Sequence, residues 1–134
     1  GSGSEREEVG RLAARLRDEA DYEVHDLSGR TTIGEMMAII DSARLTIAND
    51  TAALHMAAGL GGRCVGLYGP TSPALVGPYG LDDQVVHVPP SSPVNYRDRS
   101  LGDRVMRGVP VDGVLEVARR VLANTVQASS GGDR

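Results

Sequence analysis

A short apolar run that leads directly into a helix-forming run constrains this chain most. Residues 45–48 are aliphatic or β-branched and lie between polar residues, which predicts a buried strand. Residues 52–60 then favour a helix that ends at Gly61, with Asn49 or Asp50 as its N-cap. A strand that enters a helix in this way points several unpaired backbone N–H groups at one place. The turn therefore suits a phosphate or pyrophosphate group.

Helix signals recur on both sides of this turn. Ser4 with Glu7, and Thr32 with Glu35, have the spacing of capping boxes, which predicts that helices begin at the Ser and at the Thr. A last helix is predicted to begin with Asp112 as its cap and to run through Leu122. Its predicted buried face consists of Leu115, Ala118 and Leu122.

The strand signals indicate a parallel sheet. Further strands are predicted over residues 22–27, 64–68 and 84–88, and residues 89–109 are expected to form a long loop. Continuous apolar strands that alternate with helices are typical of an α/β fold whose sheet is covered on both faces. Ligands of such sheets bind outside the carboxyl ends of the strands, and three loops are expected at that edge: residues 28–32, 49–55 and 69–71.

Length and composition restrict the classes of protein to which the chain can belong. Its 134 residues, 40% of them hydrophobic, suffice for one modest core, which we assign to residues 1–124; residues 125–134 are predicted to be a polar, disordered tail. The net charge is −4 and the basic residues are scattered, which argues against nucleic acid as a partner. Cys64 is the only cysteine, so neither an internal disulfide nor a cysteine-based metal site is expected, which favours a cytoplasmic location.

The candidate site residues follow the predicted strand directly. Asp50 and Thr51 could contact a ligand while the backbone N–H groups of Thr51, Ala52 and Ala53 hold phosphate oxygens. His55, one turn into the helix, could donate to a phosphate. The alternatives are that Asp50 is only an N-cap and that His55 is a structural histidine. The residues by themselves indicate a phosphate-binding α/β domain, and no Walker A or dinucleotide fingerprint is present.

Four segments in this order resemble glycosyltransferase family 9, the lipopolysaccharide heptosyltransferases: residues 26–32 (DLSGRTT), 49–51 (NDT), 55–58 (HMAA) and 67–71 (LYGPT). The similarity extends to residues 77–79 (GPY) and 106–112 (MRGVPVD), and so covers most of the chain. It implies a GT-B fold, in which two Rossmann-like domains face each other across a cleft. This chain resembles most of the carboxyl-terminal, donor-binding domain without its first strands.

The resemblance also implies roles for individual residues. Asp50, Thr51 and His55 would lie at the pyrophosphate and sugar of a nucleotide-sugar donor, assisted by the backbone of Ala52 and Ala53. In addition, Glu5 would contact the ribose, and the region from Thr32 to Met36 would lie near the base. The family usually has Gly where this chain has Ala52, whose Cβ would crowd the approach of a ligand to the backbone.

The resemblance makes the expected enzyme an inverting, metal-independent glycosyltransferase without a cofactor, whose donor is a nucleotide diphosphate sugar, ADP-linked. The carboxylate that activates the acceptor hydroxyl belongs to the family's amino-terminal domain, so this chain alone is predicted to be inactive and to lack catalytic residues. The full-length protein is expected in the cytoplasm or at the inner membrane, and the exposed edge of a truncated sheet favours self-association. The alternative is a non-catalytic nucleotide-binding or interaction module that retains the fold.

Overall fold

The structure is a computed structural model that describes residues 6–19, 21–91 and 99–124. The chain divides into two compact units, Gly1–Met36 and Met37–Arg134, each of which is described by itself. Among the described residues, no helix is both long and apolar enough to cross a membrane. The predicted tail, residues 125–134, and the predicted capping residue Ser4 lie outside the described residues.

The first unit contains helix α1 (Arg6–Glu19) and the beginning of helix α2 (Ile33–Ser42). The capping box predicted at Thr32 is confirmed. The N–H of Thr32 donates to Glu35 Oε2 at 2.7 Å, and the N–H of Glu35 donates to Thr32 Oγ1 at 3.3 Å. Two otherwise unpaired N–H groups are thus satisfied by the chain itself.

The strand predicted over residues 22–27 is absent, because these residues pair with no neighbouring strand among the described residues. Side chains instead form hydrogen bonds with some of the backbone groups of this segment. Arg17 Nε donates to the carbonyl of Val24 at 3.0 Å, and Asp26 Oδ1 accepts from the N–H of Ser28 at 2.9 Å and from its hydroxyl. The two hydrogen bonds from Ser28, first that of its hydroxyl and then that of its N–H, lower the pKa of Asp26.

The second unit is built on the predicted parallel sheet. Strands β1 (Thr46–Asn49), β2 (Cys64–Tyr68) and β3 (Val85–His87) lie in that order, with Thr46 beside Cys64 and Gly66 beside Val85. The central strand, β2, is the most buried of the three, whereas β1 lies at one edge and leaves Ile47 49% exposed. The prediction that the strand over residues 45–48 is buried was therefore wrong, since an edge strand lacks a neighbour on one side.

Helices cover both faces of β2, since alternate side chains of a strand point to opposite faces. Helix α3 (Ala52–Gly59) follows β1, and its Leu54 packs over Gly66. Helix α6 (Val111–Ala123) lies on the opposite face and packs against Val65. The core on that face also includes these residues: Val86, Val114, Val117, Ala118 and Val121.

The structure corrects two predictions near the end of the chain. Residues 89–109 are not simply a loop, because helix α5 spans Arg99–Met106. Moreover, α6 begins after Pro110 rather than at Asp112, with no side-chain cap. Its buried face is shifted from the prediction: Val121 is buried, whereas Leu115 is 43% exposed. The shift places Val114, Val117 and Val121 on the sheet and leaves Leu115 towards solvent.

Candidate functional site

The carboxyl ends of β1 and β2 lie side by side, as a parallel sheet requires. Asn49 ends β1 next to Leu67, so the turn that carries Asp50 lies at the same edge as the loop Gly69–Thr71. Two of the three predicted loops therefore meet at one edge of the sheet. The third, residues 28–32, belongs to the other unit and follows no strand.

The amino terminus of α3 has no side-chain cap. Thr51 is the N-cap residue in extended conformation, but its hydroxyl donates to the carbonyl of Asn49 at 3.2 Å and caps no N–H group of the helix. The prediction of Asn49 or Asp50 as the cap was wrong. The N–H groups of Ala52 and Ala53 are the first of the helix and have no intrahelical acceptor, so they are available to an anion.

Asp50 pairs with His55 instead of capping the helix. Its Oδ1 lies 3.1 Å from His55 Nε2, and the two side chains are 20% and 47% exposed. The carboxylate accepts the Nε2–H and thereby orients the ring, which remains accessible from solvent. Asp50, the side chain best placed to cap α3, is thus hydrogen-bonded to a histidine in the first turn of the helix, and no side chain caps the helix terminus.

A groove of about 350 Å³ extends from His55 along α3. Its α3 side is formed by His55, Ala58 and Gly59, and its other side by Gly77, Pro78 and Tyr79. Gly77 follows the short helix α4 (Pro73–Val76), and its N–H donates to the carbonyl of Pro73 at 2.7 Å. Sequence analysis did not identify this groove, because it depends on how residues 73–80 fold beside α3.

The other predicted site residues lie in the first unit or outside the described residues. Thr32 and Met36 belong to the first unit, where the hydroxyl of Thr32 donates to Glu35 and its carbonyl accepts from the N–H of Met36. The predicted ribose contact, Glu5, lies outside the described residues. The structure therefore assembles Asp50, Thr51 and His55 with the backbone at Ala52 and Ala53, and the described residues provide no group of three or more His, Cys, Asp or Glu that could hold a metal ion.

Several known proteins are similar to this chain. Residues 1–100 match the family model described as glycosyltransferase family 9 (heptosyltransferase). Lipopolysaccharide heptosyltransferase 1 of Pseudomonas aeruginosa is 39% identical over 80 residues, which are 60% of this chain and 21% of that protein. Lipopolysaccharide heptosyltransferase 2 of Escherichia coli is 28% identical over 88 residues, which are 66% of this chain and 25% of that protein. The chain thus spans a quarter or less of these two relatives.

A solved structure shares the fold. The crystal structure of the glycosyl transferase family 9 from Veillonella parvula superposes with a TM-score of 0.68 at 19% identity, over 92% of this chain and 35% of that one. The predicted α/β class and Rossmann-like parallel sheet are confirmed by this similarity and by the sheet itself.

Proposed function

The chain belongs to glycosyltransferase family 9, and from that membership we propose that it is the donor-binding half of a glycosyltransferase that acts on lipopolysaccharide. The proposed donor is a nucleotide diphosphate sugar, ADP-linked and heptose-like, and the enzyme inverts the anomeric centre. The turn from Asp50 to His55 binds the diphosphate.

The observation that carries the proposal is the uncapped amino terminus of α3 beside the Asp50–His55 pair. The free N–H groups of Ala52 and Ala53 and the positive end of the helix dipole favour an anion there. His55 adds a hydrogen-bond donor: a ring that carries protons on both nitrogens donates Nε2–H to Asp50 and Nδ1–H to a phosphate oxygen. Asp50 thus orients the histidine and does not itself need to touch the diphosphate.

The proposed chemistry is stabilisation of a leaving group. The acceptor oxygen attacks the anomeric carbon, the bond from that carbon to the diphosphate oxygen breaks, and the electron pair remains on the diphosphate. Its growing negative charge is met by the α3 terminus and His55, which need not reorganise during the step. The acceptor's proton passes to a carboxylate of the other half of the enzyme, so the 134 residues alone bind the donor weakly and transfer no sugar.

The remaining partners are also proposed from membership of the family. An acceptor-binding domain completes the enzyme, which works in the cytoplasm or peripherally at the inner membrane, and neither a metal nor another cofactor takes part. The exposed edge of β1 favours self-association of this chain.

The proposal is tested by amide NMR titration of the labelled chain with ADP, with GDP and UDP as controls for the base. We expect ADP to shift the amide signals of Thr51, Ala52, Ala53 and His55. His55→Ala should weaken ADP binding by at least about tenfold, since a charge-assisted hydrogen bond contributes roughly 1.5–3 kcal/mol. His25→Ala, which changes an exposed histidine of the first unit, is the matched control.

Two outcomes would contradict the proposal. If no nucleoside diphosphate shifts the α3 signals, the turn is not a diphosphate site. If ADP binds there but the full-length protein transfers no sugar from an ADP-linked donor, the chain is a nucleotide-binding module that retains the fold, an alternative that the Cβ of Ala52 at the site favours.

A further inference from the structure

Tyr68 lies directly beneath the first turn of α3. It is the last residue of β2 and is fully buried, as is Leu54. A Cβ built on Gly66 would lie 2.9 Å from Tyr68 Cε2 and 3.0 Å from Leu54 Cδ2, so both side chains occupy the space over that glycine. The tyrosine ring therefore packs where Leu54, the residue before His55, contacts the sheet.

The hydroxyl of Tyr68 reaches the opposite side of the groove. It donates to the carbonyl of Val76 at 3.3 Å, and Val76 ends α4 immediately before Gly77. A Cβ on Gly77 would collide with the carbonyl oxygen of Pro73, so the chain turns tightly there. Tyr68 consequently packs beside Leu54 under one side of the groove and bonds to Val76 at the other side.

The electrostatic surroundings agree with this placement. Burial raises the pKa of Tyr68 to about 12, and the negative charge of Asp50 contributes in the same direction. The phenol therefore keeps its proton well above the neutral range and remains a donor to Val76, and Asp50 is close enough for its charge to be felt at the ring.

We propose that Tyr68 is a positioning residue of the donor site, whose ring supports the first turn of α3 and whose hydroxyl holds the segment opposite His55. This inference rests on the proposed function, because it concerns the same diphosphate site. Tyr68 is buried, so it acts through the residues packed against it, Leu54 and Val76 among them.

The test is Tyr68→Phe, which keeps the ring and removes only the hydroxyl. We expect the side-chain ¹⁵N signals of His55 to move. We also expect the Kd for ADP to rise about twofold to fivefold, a change in the lower part of the range that the loss of one neutral hydrogen bond produces. A readout at the histidine ring distinguishes positioning from a general loss of stability, which thermal unfolding measures separately.

Tyr22→Phe is the matched control, because it removes the same hydroxyl from a tyrosine that is 67% exposed in the first unit. Unchanged His55 signals together with an unchanged Kd in Tyr68→Phe would overturn the inference and leave the proposed function standing. If the wild-type chain binds no ADP, the proposed function fails, and the His55 signals of the unliganded protein still decide whether Tyr68 positions that ring.

Discussion

The amino termini of α2 and α3 are built from similar residues, yet side chains cap the first, which we call closed, and no side chain caps the second, which we call open. Both have a threonine at the N-cap position, Thr32 and Thr51. At α2, Thr32 and Glu35 satisfy each other's backbone N–H groups. At α3, the threonine hydroxyl donates backwards to Asn49, and no side chain caps the helix.

The difference lies in where the nearby carboxylate is used. Glu35 returns to its own helix terminus, where the backbone N–H of Thr32 and, to a lesser extent, its hydroxyl lower the pKa of the glutamate. Asp50 instead pairs with His55 across the first turn of α3. A closed terminus stabilises its helix locally, whereas an open one must be held by packing from below and keeps its N–H groups for a ligand.

The largest expected effect comes from removing that packing. Leu54→Ala deletes a fully buried side chain beneath the open terminus, and should lower the free energy of unfolding by about 2–5 kcal/mol. Ile33→Ala is the counterpart at the first residue of α2, where the side chain is 68% exposed, and should change it by less than about 0.5 kcal/mol. Urea denaturation followed by circular dichroism measures both. Equal losses would mean that the two termini are supported alike.

A smaller effect should separate the two N-caps directly. Thr32→Ala breaks a capping box and is expected to cost about 1 kcal/mol locally, which corresponds to roughly fivefold faster hydrogen exchange at the amide of Met36. Thr51→Ala removes no cap, so exchange at the amide of His55, which bonds to the carbonyl of Thr51, should change less than about twofold. Comparable acceleration at both amides would contradict the distinction between a closed and an open terminus.

The smallest expected effect is a pH dependence confined to α2. Because the pKa of Glu35 is lowered in the folded protein, its contribution is fully present above the ordinary pKa of a glutamate. That contribution is lost as the pH falls through the lowered pKa, so the protection of the Met36 amide, measured relative to the intrinsic exchange rate at each pH, should decrease on acidification. Glu35→Gln retains an oxygen acceptor without a titrating charge and should abolish the dependence. If the variant responds to acid as the wild type does, another group is responsible.

Local patterns predicted the elements that depend on neighbouring residues. The capping box at Thr32, the parallel pairing and the strand Cys64–Tyr68 are all as predicted, because they rest on short-range hydrogen bonds or on a continuous apolar run. The strand at residues 22–27 and the burial of Ile47 were predicted wrongly. Both depend on a neighbouring strand, which local periodicity does not reveal.

The same division holds at the candidate site. The sequence determined that a strand runs into a helix at Asp50 and that a histidine follows one turn later, since both follow from residue order and helical spacing. Only the tertiary structure decided that Asp50 turns to His55 rather than capping α3, and that Tyr68 lies between Leu54 and Val76. Asp50 and His55 are five residues apart and Tyr68 and Val76 eight, but residue order alone does not say which of several nearby partners a side chain takes. Packing at the edge of the sheet decides which contacts form.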